Sequence, residues 1–151
     1  MRFNILILLF FTVLCGCGKD LEEPYVHPFI HIMEKESSSV TVNSEAAYTA
    51  TYSVYLSSAL LADKLIVEYE IIPGAGLKAG VDYELVTSST KLTFLPGIYD
   101  MPVRIKWLPN PVDPTKDNTL RIRLVQNSMN FTMGLPGPDG LQREFKITKI
   151  N

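Results

Sequence analysis

The sequence predicts an all-β fold, an antiparallel sandwich of about seven or eight short strands. Three observations lead there. From Tyr25 onward apolar residues recur with a period of two. Clusters of proline and glycine punctuate the alternating runs. No window holds a sustained 3.6-residue repeat, and only residues 59–64 read as a single helical turn.

The strands follow in order. Weak apolar runs at 29–33 and 40–43 predict two short strands. Over 48–56, Tyr48, Ala50, Tyr52, Val54 and Leu56 share one face, against Thr49, Thr51, Ser53 and Tyr55. Over 65–72, Leu65, Val67, Tyr69 and Ile71 face inward, with Glu68 and Glu70 outward. A short strand is expected at 92–94. Residues 101–108 place Met101, Val103, Ile105 and Trp107 inward against Arg104 and Lys106. Residues 119–125 place Leu120, Ile122 and Leu124 inward against Arg121 and Arg123. The last strand, 144–150, turns Phe145 and Ile147 inward against Lys146 and Thr148. Gly74 and Gly76, Pro96-Gly97, Pro109 with Pro111, and the 136–140 run PGPDG break the chain between strands. One-sided strands that each bury one face require two sheets packed together, and they argue against a parallel α/β sheet.

The N-terminus is a separate unit. Arg2 precedes an apolar run, 5–14, too short to span a hydrocarbon core of about 30 Å. It ends Leu14-Cys15-Gly16-Cys17, which resembles the bacterial lipobox. The resemblance implies a signal peptide over 1–16, cleavage before Cys17, and acylation of Cys17 as a membrane anchor. The competing reading is an ordinary secretory signal or an uncleaved anchor. Residues 17–24 form a tether; its carboxylates Asp20, Glu22 and Glu23 resemble the export signal of surface lipoproteins in Bacteroidota, or serve as a solvated spacer. Residues 25–151 form one domain, long enough for a hydrophobic core without disulfides.

Composition excludes several classes. The chain is 46% apolar and 20% charged, which excludes a disordered protein. Its net charge of −2 and lack of a basic stripe exclude nucleic acid as a partner. Cys15 and Cys17 are the two cysteines, so the domain holds no disulfide and no thiolate nucleophile.

Four motifs occur in order: Ala79-Gly80-Val81-Asp82-Tyr83, then 92–97 (LTFLPG), then 118–124 (NTLRIRL), then Phe145-Lys146-Ile147. Together they resemble Calx-beta domains, over roughly residues 65–150. The stretch 130–138 (NFTMGLPGP) is similar to a segment of uncharacterised surface lipoproteins of Bacteroidota that accompany glycan-uptake systems. The resemblance implies an immunoglobulin-like (Calx-beta-like) sandwich. Gly80 supplies a tight turn, Asp82 caps it, and Tyr83 packs inward. Calcium-binding members carry an acidic run where this chain has 108–118; here only Asp113 and Asp117 are acidic, with Lys116 between them. Ca²⁺ takes six to eight oxygens, so a plain loop is expected, with no metal or cofactor.

No catalytic constellation emerges. His27 and His31, four residues apart in a strand, lie about 13 Å apart and lack a third ligand. Glu68 and Glu70 lie about 6.6 Å apart, a spacing that glycosidases use, but that chemistry also needs a cleft and one carboxyl with a raised pKa, and an exposed strand face with alternating charge explains the same residues. Aromatics off the core faces, Tyr25, Tyr55, Tyr99 and Phe131, are the candidate ligand-binding residues, since sugar rings stack on flat aromatic faces. Trp107 is assigned to the core. The expected function is non-enzymatic: a lipoprotein of the outer membrane or cell surface, binding polysaccharide or an outer-membrane protein complex. The alternative is an adhesion or assembly component recognised through a sheet edge or loop.

Overall fold

The computed structural model describes residues 27–151. The domain is all-β, with no helix among the described residues. Ten strands form: β1 (Phe29–Met33), β2 (Ser39–Asn43), β3 (Thr49–Ser57), β4 (Leu65–Pro73), β5 (Tyr83–Leu85), β6 (Lys91–Phe94), β7 (Asp100–Trp107), β8 (Thr119–Asn127), β9 (Thr132–Met133) and β10 (Glu144–Ile150). They make two five-stranded sheets, β5-β7-β3-β1-β9 and β2-β10-β8-β4-β6.

Eight strands fall where alternation places them. The additional two, β5 and β9, are three and two residues long and too short to show a period. The sheets are mixed rather than purely antiparallel. β9 runs parallel to β1, and β2 runs parallel to β10. Both parallel pairs arise because a connection crosses between sheets before pairing: 34–38 carries β1 of one sheet into β2 of the other. The 59–64 segment is a bend and not a helical turn.

The core lies between the sheets. The first sheet contributes Ile30, Ile32, Tyr52, Val54, Val103, Ile105 and Trp107; the second contributes Leu65, Val67, Phe94, Leu120, Ile122, Leu124, Phe145 and Ile147. Trp107 is fully buried, and its Nε1–H donates to Tyr52 Oη at 3.2 Å. Burial pushes the Tyr52 hydroxyl far above its ordinary range, so it stays protonated with a lone pair free to accept that bond. Tyr48, expected inward, is 52% exposed, because it precedes the first residue of the β3 ladder. In β8 a bulge opposite Glu68 and Tyr69 leaves Val125 outside the register and exposed. Pro102 sits in β7 beyond the end of β5, whose pairing runs from Tyr83–Trp107 to Leu85–Ile105 and stops there, so a residue without an N–H is tolerated.

The strand ends define two poles. The near pole gathers the start of β1, the 58–64 loop, the 95–99 turn and the 128–131 turn. Register fixes this: Phe29 pairs with Ser57 and Leu65 with Phe94, while Leu56 N–H donates to Tyr99 O at 2.8 Å. The far pole gathers 44–48, 74–82 and 108–118.

Candidate binding surface

Cys17, Tyr25 and the lipobox lie outside the described residues. The other three candidate aromatics sit toward the near pole, but they do not form one platform. Tyr55 is half-buried, and its ring stacks on His31 at 5.5 Å between centroids. His31 also meets Phe29 at 5.3 Å. Tyr99 is 40% exposed in the turn before β7. Phe131 is half-buried against the core, and its backbone is clamped by Asn127, which accepts from its N–H at 2.9 Å and donates to its carbonyl at 2.8 Å.

The carboxylates weighed for chemistry have structural partners, and His31 is held by burial and ring contacts. Burial lowers the His31 pKa, and its Nδ1 has no hydrogen-bond partner among the described residues. Glu68 pairs with Lys91 at 2.6 Å and Glu70 with Arg123 at 3.2 Å, each across strands. Lys91 and Gln126 hold Glu68 below the ordinary carboxylate range, the opposite of what a glycosidase acid requires. Asp113 Oδ1 accepts from Thr115 N–H and Oγ1–H at 2.9 and 2.7 Å. Asp117 Oδ1 does the same for Thr119, at 3.1 and 2.7 Å. Both carboxylates thus close local turns. Among the described residues no three His, Cys, Asp or Glu side chains gather as metal ligands.

An open cleft of about 540 Å³ lies elsewhere, on the flank of the second sheet. Ser38 from the β1–β2 connection, Arg123 of β8 and residues 139–144 line it. Local geometry builds this flank. Gly134 sits at φ +89°, and a Cβ there would meet the Gly140 carbonyl oxygen at 2.6 Å, so only glycine lets the β9–β10 connection fold back on itself. Leu135 N–H then donates to Leu141 O at 2.6 Å. Gln142 also adopts a left-handed backbone, φ +61°, held by Ile32 N–H donating to its carbonyl at 2.9 Å. Arg143 Nε reaches Leu124 O at 3.2 Å, and Arg123 Nε reaches Glu144 at 2.8 Å. Charged groups of both signs, Arg123, Asp139, Arg143 and Glu144, therefore line the cleft together with an exposed Leu141. Such a surface suits a hydroxyl-rich ligand: guanidinium and carboxylate read paired hydroxyls, and the apolar patch meets C–H faces. Sequence reasoning missed it because Arg123 read as an outward strand charge; the 136–140 PGPDG run was the available signal.

Neither models of known protein families nor curated proteins match the chain.

Proposed function

We propose that this protein is a lipid-anchored, non-enzymatic accessory module of the outer membrane that binds glycans at the Arg123–Glu144 cleft. The observation that carries the binding reading is that cleft's lining, in which Ser38, Arg123, Asp139 and Arg143 surround Leu141. The anchor rests on Leu14-Cys15-Gly16-Cys17 behind a short apolar run. The immunoglobulin-like, Calx-beta-like reading is supported by strand order. β5-β7-β3-β1 follows the D-E-B-A order of such sandwiches, and β10-β8-β4 follows G-F-C. It departs in that β5 precedes β6 along the chain. Short edge strands disfavour sheet extension at the first sheet, where β5 and β9 offer three and two residues; the second sheet's edges, β2 and β6, offer five and four.

A glycan array on the mature chain, followed by titration calorimetry, tests the reading. The expected result is binding to a polysaccharide class, weakened at least tenfold, about 1.4 kcal/mol, by Asp139→Ala or Arg143→Ala. Absence of binding across the array, or unchanged affinity in both variants, would overturn it.

A further inference from the structure

The near pole is unusually apolar for a set of loops. Leu60 is 72% exposed, Leu95 58%, Ile98 42% and Tyr99 40%. These side chains come from two adjacent segments, 58–64 and 95–99, held side by side by the Leu65–Phe94 pair and the Leu56–Tyr99 hydrogen bond. The four segments of this pole, 27–28, 58–64, 95–99 and 128–131, hold one acid, Asp63, one lysine, Lys64, and one histidine, His27. The far-pole loops carry Glu45, Lys78, Asp82, Asp113, Lys116 and Asp117, and expose two large apolar side chains, Tyr48 at 52% and Val81 at 43%, among these charges.

The described chain also begins at the near pole, since Phe29 pairs with Ser57 and Thr132 N–H donates to Pro28 O. Ten residue steps separate Cys17 from His27, a reach of at most about 35 Å. The nine-residue β3 sets the far pole about 30 Å farther away. An anchor at Cys17 therefore keeps the near pole within about 35 Å of the bilayer and leaves the far pole free to lie about 30 Å farther out. Exposed leucine and isoleucine with a tyrosine, nearly free of charge, match the interfacial zone, where apolar groups enter and aromatic residues with a polar tip settle.

We infer that the near pole rests in the headgroup region of the anchoring membrane through Leu60, Leu95, Ile98 and Tyr99, standing the sandwich upright. This rests on the lipoprotein reading. It leaves the Arg123–Glu144 cleft on the flank, open to a ligand.

The test uses the full chain, processed in a bacterial envelope and reconstituted into phosphatidylethanolamine–phosphatidylglycerol vesicles containing nitroxide-labelled lipid. The thiol of Cys17 is blocked by its acyl group, so Ala59→Cys and Lys116→Cys each accept one fluorophore, at opposite poles. The dye at 59 should be quenched several-fold more strongly than the dye at 116. Leu60→Asp with Ile98→Asp should reduce quenching at 59 while the protein stays with the vesicles. Mass spectrometry of the N-terminal peptide separates the two claims. A protein acylated at Cys17 but quenched equally at both poles overturns the orientation alone. A Cys17 without acyl mass overturns the lipoprotein reading and the orientation with it.

Discussion

At the far pole a fully buried ammonium is answered from within the chain, whereas at the near pole Leu60, Leu95 and Ile98 are left facing solvent. Lys149 Nζ has no exposure and donates to Asp82 Oδ1 at 3.1 Å and to Leu108 O at 2.9 Å. Asp82 in turn accepts from Asn110 Nδ2 at 2.9 Å and from Lys78 N–H at 2.8 Å. One carboxylate thereby ties the 74–82 loop, the 108–118 loop and the last strand together. The near-pole loops are held differently: Asn127 clamps the 128–131 turn and Leu61, Met129 and Phe131 pack on the core, while no buried ion pair is found there among the described residues and Leu60, Leu95 and Ile98 stay exposed. A stability account covers the first pole; the second is the one for which an outside surface is proposed above.

The comparison can be broken by attacking the far pole first. Lys149→Met leaves the Asp82 carboxylate buried without its counter-charge and should cost about 3–5 kcal/mol in urea unfolding at neutral pH. A loss below 1 kcal/mol would show that the loops, and not the pair, hold this end.

Between the poles, the register of β7 predicts the next effect. Ile105→Ala removes a fully buried side chain and should cost about 2–5 kcal/mol, while Lys106→Ala, exposed and paired to Glu84, should stay within about 0.5 kcal/mol. Similar losses in both would indicate a slipped strand. Trp107 emission should be blue-shifted and poorly quenched by iodide.

Acid sharpens the contrast. Burial pushes Asp82 upward, but hydrogen bonds from Asn110 and Lys78 and the Lys149 ammonium outweigh it and hold the carboxyl below its ordinary range. A lowered folded pKa means that the unfolded state takes up the proton first. The contribution is therefore complete above about pH 4 and is lost as pH falls through the lowered value. Urea midpoints should drop across that window in the parent and drop less in Lys149→Met. An equal drop in both would remove the pair as the cause.

The strands were legible because alternation is a property of neighbours in sequence. Phe145 and Ile147 predicted their own burial, and Gly80, at φ +78°, occupies the turn expected of it. Asp82 was half legible: its Oδ2 caps the loop at Lys78 as expected, while Oδ1 holds Lys149. Lys149 was missed although the same alternation that buries Phe145 and Ile147 points it inward, because lysine reads as a surface residue until its partner is known. That partner lies 67 positions away, beyond any local pattern. The cleft on the flank was hidden for the same reason: Ser38, Arg123 and Arg143 meet only once the sheets are assembled.

The smallest expected effects belong to the near pole. Leu60→Ser, Leu95→Ser and Ile98→Ser should each stay within about 0.5 kcal/mol, since each side chain is already exposed in the folded chain. The most direct test of the two-pole account sets that triple variant beside Asp82→Ala in one urea series. The account predicts a triple variant close to the parent and an Asp82→Ala protein weakened by about 3–5 kcal/mol, with Lys149 left unpaired. A triple variant as unstable as Asp82→Ala would contradict it, because the near-pole leucines would then belong to the core.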